Sequence, residues 1–249
     1  MSRIIFLLLL ISSSSFAITG KEILQRLDKI MEIKTDITAK VKITQQKSDS
    51  VKVMESIYYR RDRDDSFLII MTEPEVEKGN GYLKVGDNFW MYKRNTRTFQ
   101  HINRDESIAG SDAKSGDLEK RKTSELYNVA KDESGKEKIN EEMLGKIPVY
   151  KVEIIAKVND VTYPKQILWI HKENFLVLKA QSFSLSGTLM QTSYYLKYTE
   201  IDGRYVPLQQ IFVDEFEKGN KTIIELSGIS FEKIPEHIFT KAYLENLSK

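Results

Sequence analysis

The stretch from Tyr82 to Tyr92 most narrows what this chain can fold into. Tyr82-Leu83-Lys84-Val85 and Phe89-Trp90-Met91-Tyr92 are two short runs of aromatic, aliphatic and β-branched residues, which suit a pleated, half-buried surface. Between them Gly86-Asp87-Asn88 tolerates the positive φ angles that a tight hairpin requires. A lone hairpin is marginal in water. This one therefore has to be part of a larger sheet with a covered face.

Neighbouring segments supply that sheet. Ile37, Ala39, Val41 and Ile43 alternate with Thr38, Lys40, Lys42 and Thr44, the pattern of a half-buried strand. Val51–Tyr59 reads as a second strand. Phe67–Met71 is an unbroken apolar run, as expected of a strand covered on both faces. The mixed-charge run Arg60-Arg61-Asp62-Arg63-Asp64-Asp65 reads as a solvated turn between them. Further strands are expected at Val149–Val158, Lys165–His171, Phe175–Phe183, Thr188–Tyr198, Leu208–Phe216 and Thr222–Phe231. Asp202-Gly203 and Lys218-Gly219-Asn220-Lys221 mark turns.

Helices are expected at both ends of this β pattern. Thr19 and Glu22 form a T-x-x-E capping box, and Ile23, Leu24, Leu27, Ile30 and Met31 then recur on one helical stripe. Near the other end Pro235 stops the sheet and Thr240 caps a short helix carrying Ala242, Tyr243, Leu244 and Leu247. Arg104–Lys146 breaks the rhythm, being polar and poor in apolar residues. It reads as a long insert with short helices around Leu118–Val129 and Lys138–Leu144, and a stretch of this kind is usually functional or mobile. The pattern predicts an α+β fold: an antiparallel meander curled over a helix.

The first residues read as an export signal. Arg3 is followed by the apolar run Ile4–Ile11, a serine-rich stretch and Ser15-Phe16-Ala17. Cleavage is expected after Ala17, leaving residues 18–249 as one domain with its insert at about 104–146. The apolar run is shorter than the roughly 18 residues that a spanning helix needs. The chain has no cysteine, which excludes disulfides, thiolate metal sites and a cysteine-linked lipid anchor. A formal charge of +2 lacks the basic excess typical of nucleic-acid binders.

Catalytic signatures are missing. His101, His171 and His237 are far apart, with no metal-binding spacing. Ser111-Asp112 lies outside any nucleophile elbow and reads as a loop pair. The glycines at 79, 81 and 86 do not form a phosphate loop. No cofactor, metal site or catalytic residue is assigned. The aromatics Tyr82, Phe89, Trp90, Tyr92, Phe99 and Trp169 fit either a packed core or the lining of an apolar groove, since curved sheets can hold ligands.

One resemblance extends beyond this reading. Lys78-Gly79-x-Gly81-Tyr82-Leu83, Gly86-Asp87-Asn88-Phe89-Trp90-Met91-Tyr92, Thr96-Arg97 and Gly110-Ser111-Asp112 resemble, in order and spacing, the LolA-like outer-membrane lipoprotein-sorting proteins. Tyr163-Pro164-Lys165, Val206-Pro207, Gly219-Asn220-Lys221-Thr222, Ile234-Pro235 and Phe239-Thr240 continue the likeness. Ala109, Ala113 and Gly116 depart from it, standing where the family often has bulky residues.

The resemblance implies a strongly curved antiparallel half-barrel covered by helices. It implies a periplasmic carrier that shields acyl chains of lipoproteins, or another lipid, for transfer towards the outer membrane. An inner-membrane transporter or exporter and peripheral membrane contact follow as partners. On this reading Phe67, Ile69, Met71, Leu83, Phe89, Trp90, Met91, Tyr92 and Trp169 are groove candidates. Ile23, Leu24, Leu27, Ile30 and Met31 of the first helix, together with the insert, are lid candidates. The alternatives are a non-carrier module docking on a resistance-nodulation-division exporter or envelope complex, and an enzyme on the same scaffold.

Overall fold

The computed structural model describes residues 18–32, 35–103, 105–112, 116, 121–201 and 204–247. The expected signal segment and the Asp202-Gly203 turn lie outside the described residues. The expected capping box is present: Thr19 Oγ1 accepts from the Glu22 backbone N, and Glu22 reaches back to the Thr19 backbone N at 3.0 Å. It opens helix α1 (Gly20–Met31), whose Ile23, Leu24 and Leu27 are buried.

Six strands follow: β1 (Asp36–Lys47), β2 (Ser50–Arg61), β3 (Ser66–Glu73), β4 (Gly81–Val85), β5 (Asn88–Lys93) and β6 (Thr98–His101). A one-turn helix α2 (Thr123–Leu126) leads into β7 (Tyr127–Val129), β8 (Ile139–Leu144) and β9 (Ile147–Ala156). The second half adds β10 (Lys165–His171), β11 (Val177–Phe183), β12 (Leu189–Ile201), β13 (Arg204–Asp214) and β14 (Lys221–Ser230). A 3-10 turn at Glu236–Phe239 and helix α3 (Lys241–Leu247) follow.

All fourteen strands join one antiparallel sheet. Its order is β6-β5-β4-β3-β2-β1-β14-β13-β12-β11-β10-β9-β7, with β8 also on β9. The last strand inserts beside the first, joining the two halves at the middle, and β6 forms one edge while β7 and β8, both on β9, form the other. The sheet is open, a curved half-barrel of the expected α+β class.

Three layers cover its faces. On one wing α1 packs into a core with Val152, Ile154, Leu168 and Ile170. On the other wing Ile102 and Ile108 pack over Phe67, Ile69, Met71, Tyr82 and Phe89. Behind that wing the 3-10 turn and α3 cover Leu68, Ile70, Leu83 and Tyr92 from the outside. The apolar run of β3 is thus buried on both faces, as its sequence predicts.

Two expectations are corrected. Lys138–Leu144 is not helical. Ile139–Leu144 is strand β8, paired with β9 from Ile139↔Val152 to Leu144↔Ile147, with Gly145 turning at φ +63°. The helix-forming Glu-Glu-Met-Leu stretch yields to this pairing, because strand formation depends on context. Hence the insert contributes two strands, β7 and β8, to the sheet.

The charge run is also not simply solvated. Arg61 and Asp62 are buried, and the residues alternate between faces. Arg60 turns inward to pair with Asp62 at 2.5 Å. Arg61 holds Asp64 through two nitrogens, at 2.7 and 3.0 Å, and lies 4.4 Å over the Phe239 ring. Burial opposes ionisation of Asp64, but the Arg61 bonds hold its carboxyl below the usual range.

Candidate functional site

Between the two packed wings the concave face is not filled. A cavity of about 380 Å³ remains there. Its floor follows from strand parity. On β1 the inward residues are Ile37, Val41 and Ile43, and on β14 they are Ile224 and Leu226. Beyond them stand Phe212 and Val206 of β13, and Leu168, Val177 and Ala180 of β10 and β11. Ile69 of β3 closes one side, and Leu27 and Met31 of α1 form the roof.

A polar column interrupts this wall. The inward side of β2 presents Ser56, Tyr58 and Arg60 at successive alternate positions. Ser56 is buried, and its hydroxyl has no hydrogen-bond partner. Burial pushes the Tyr58 phenol up from its ordinary value, with the Arg60 charge pulling the other way. Burial works against the Arg60 charge, but Tyr58 and Asp62 beside it raise its pKa overall. Opposite them, Tyr198 donates to the Val177 carbonyl at 2.5 Å, and burial raises its pKa too.

The helical side of the cavity is pinned. Asp28 of α1 accepts from the backbone N of Thr123 at 2.7 Å and of Ser124 at 2.9 Å. The Gly20 N donates to Glu137 at 2.7 Å, and a Cβ at Gly20 would fall 2.4 Å from Val129. Helix and insert therefore form one cover.

The other boundary is the loop at 108–112, whose Ile108 and Ser111 reach the cavity. Polar residues from four strands hold this loop. Tyr82 accepts from the Ala109 N at 2.8 Å, Gln45 donates to the Gly110 carbonyl, and Gln191 donates to the Asp112 carbonyl at 2.8 Å. Thr222 donates to the Asp112 carboxylate at 2.7 Å.

Among the groove candidates, Ile69 lines the cavity. Phe67, Met71, Phe89 and Met91 share its face but pack under Ile102 and Ile108. Leu83, Trp90 and Tyr92 point to the outer face, against the C-terminal turn and helix. Trp169 is buried apart from the cavity, donating to Glu142 at 2.6 Å with Lys179 4.4 Å above its ring. Of the lid candidates, Leu27 and Met31 line the cavity, and Ile23 and Leu24 lie in the core beneath α1. Ile30 is half-buried.

Sequence reasoning missed the column of Ser56, Tyr58 and Arg60. The signal was available: pairing a β1–β2 hairpin aligns Val41 with Ser56 and Ile37 with Arg60, which places the column on the apolar side of β1.

This open, helix-covered half-barrel is the fold of solved LolA-superfamily and lipoprotein-sorting structures. A domain described as an outer membrane lipoprotein-sorting protein domain, from Vibrio parahaemolyticus, superposes with a TM-score of 0.79 at 20% identity, over 91% of this chain and 98% of that one. A DUF1329 family protein from Desulfovibrio piger gives 0.78 at 19%, over 90% and 97%. A LolA superfamily protein from Nitrosomonas europaea gives 0.74 at 23%, over 91% and 100%. At these identities the likeness is one of fold. Among curated proteins none matches. The chain belongs to the family, described as "Uncharacterized protein", whose model matches residues 63–246.

Proposed function

We propose that residues 18–249 form a periplasmic carrier, exported by a signal cleaved after Ala17. It holds acyl chains of a lipoprotein or another lipid in the cavity for transfer towards the outer membrane. The carrying observation is the unfilled apolar space of about 380 Å³ under a pinned helical cover. Each CH₂ shielded from water contributes roughly 0.8 kcal/mol, so such a space stabilises a chain that an aqueous compartment rejects. The buried Ser56 hydroxyl with no partner suits a cargo that brings a polar atom past the apolar floor. The wider structural class, with its lipoprotein-sorting relative, supports the reading.

This is binding without catalysis. Among the charged residues lining the cavity, Arg60 and Asp62 pair with each other, and Asp28 is held by the Thr123 and Ser124 backbone. Among the described residues, no cluster of His, Asp or Glu is arranged to hold a metal. No helix among them is long and apolar enough to cross a membrane. Handover to or from an inner-membrane transporter completes the proposed path.

A second reading is a docking module that carries no cargo. It draws on the wing where Ile102 and Ile108 already fill the concave face. Native mass spectrometry of the full chain, purified gently from an envelope extract, separates the two. An acylated species that is lost on delipidation and regained on mixing supports the carrier. A bare mass that also refuses added lipids and lipopeptides sinks it.

A further inference from the structure

One polar atom in the cavity wall is left over. Ser56 lines the cavity and is 3% exposed, and its hydroxyl has no hydrogen-bond partner. Among the described residues, no other side chain lining the cavity has a buried polar atom left in this way. The surroundings of Ser56 are apolar. Across the sheet it stands between Val41 of β1 and Met71 of β3. Along β2 the next inward residues are Met54 and Tyr58, and the Tyr58 phenol is engaged with Arg60. A plain hydrocarbon chain laid over Ser56 would shut out water and leave the hydroxyl unpaired. A chain with an oxygen at that point would satisfy it.

The strand register fixes how deep Ser56 lies. At one end of the floor Gln45 and Thr222, paired across β1 and β14, hold the 108–112 loop. At the other end, where β1 begins, Arg60 faces Ile37, and Glu32 and the exposed Lys122 also line the cavity. Ser56 faces Val41, which is four residues from Ile37 and four from Gln45, or about 13 Å from each end. An extended chain advances about 1.2 Å per carbon–carbon bond. A chain with its head at the charged end therefore passes Ser56 about ten carbons in and meets the loop about ten carbons further on.

The size of the space limits the number of chains. At about 380 Å³ it lies at the small end of ligand sites, which span roughly 300–1,000 Å³. That suits one chain and not several.

We propose that the cavity selects a single acyl chain bearing a hydroxyl near its middle, with that hydroxyl bonded to Ser56 Oγ. The inference rests on the carrier reading of the cavity and narrows its cargo to one class of chain.

The test measures dissociation constants for the delipidated full chain by displacement of a fluorescent acyl probe. The competitors are stearate, 10-hydroxystearate and 2-hydroxystearate, each below its micelle concentration. The parent is expected to bind 10-hydroxystearate about tenfold more tightly than stearate. It is expected to bind 2-hydroxystearate, whose hydroxyl stays at the head, no better than stearate. Ser56→Ala is expected to lose the preference, holding stearate more tightly and 10-hydroxystearate more weakly. Ser56→Thr, which keeps a hydroxyl, is expected to keep the parent's order. The monoglycerides of stearic and 10-hydroxystearic acid separate an esterified chain from a free acid. A preference for the hydroxylated member supports the proposal in either form, and the tighter form names the source.

Equal affinity of the parent for stearate and 10-hydroxystearate, as acids and as monoglycerides, would overturn the proposal and leave the carrier reading standing. So would a preference that survives in Ser56→Ala or that 2-hydroxystearate shares in full, since the hydroxyl would then be read elsewhere. Failure to bind the acyl probe or any competitor would instead sink the carrier reading, and the proposal with it.

Discussion

Asp112 and Thr222, 110 residues apart, hold each other through two hydrogen bonds. The Thr222 hydroxyl donates to the Asp112 carboxylate at 2.7 Å and accepts from the Asp112 backbone N at 3.0 Å. Thr222 is fully buried. The pair fastens the 108–112 loop to the central strand β14, where the loop bounds the cavity. Thr222→Val keeps the shape and removes both bonds. It should cost about 1–3 kcal/mol and speed amide exchange at Ser111 and Asp112 more than in the strands around them. Unchanged exchange in the loop would show that the pair does not fasten it.

Gly81 begins β4 against the C-terminal helix. A Cβ there would stand 2.7 Å from Leu244 Cδ2 and 2.9 Å from the Ile69 carbonyl oxygen. The leucine can turn aside but the backbone oxygen cannot. Gly81→Ala should therefore destabilise by about 1–3 kcal/mol, read from denaturant midpoints, with α3 losing protection first. A neutral result would mean that the strand shifts freely at this point.

Much of the fold was legible because local patterns agreed with the global arrangement. The capping box at Thr19, the alternation of Ile37 to Ile43 and the Gly86 turn each describe the element that forms. The strand at Ile139–Leu144 was not, since its partner β9 decides its state. The cavity was the least legible part. In β4 and β5 both faces are apolar, because α3 and the 3-10 turn cover the outer one. Composition therefore could not say that Trp90 faces out and Met91 in. The polar column on β2 was hidden for the converse reason, since Ser56 and Arg60 do not advertise an interior position.

That division of faces leads to a paired expectation for the carrier reading. Trp90→Leu removes a ring from the outer face, where Lys241 lies 4.1 Å above it. It should lower thermal stability but leave lipid uptake unchanged. Val41→Phe places a ring into the cavity floor from a half-buried position. It should leave the fold intact and weaken binding of an acylated probe on the order of tenfold. Equal binding by the Val41 variant would remove the cavity from the account of cargo.

Glu153 joins three strands through charge. Its carboxylate meets Lys165 of β10 at 3.0 Å and Lys138, which precedes β8, at 3.1 Å. Burial alone would raise its pKa, but the hydrogen bonds from both lysines hold it below the ordinary value. A carboxyl whose folded value is depressed contributes stability above its unfolded pKa of about 4.3, and that contribution disappears as pH falls through the lowered folded value. Glu153→Gln should therefore cost about 1 kcal/mol near neutral pH. The gap to the parent should close as pH falls below about 4. Urea unfolding of both proteins across that range provides the measurement. A gap that persists or widens in acid would show that Glu153 acts through packing and not through its charge.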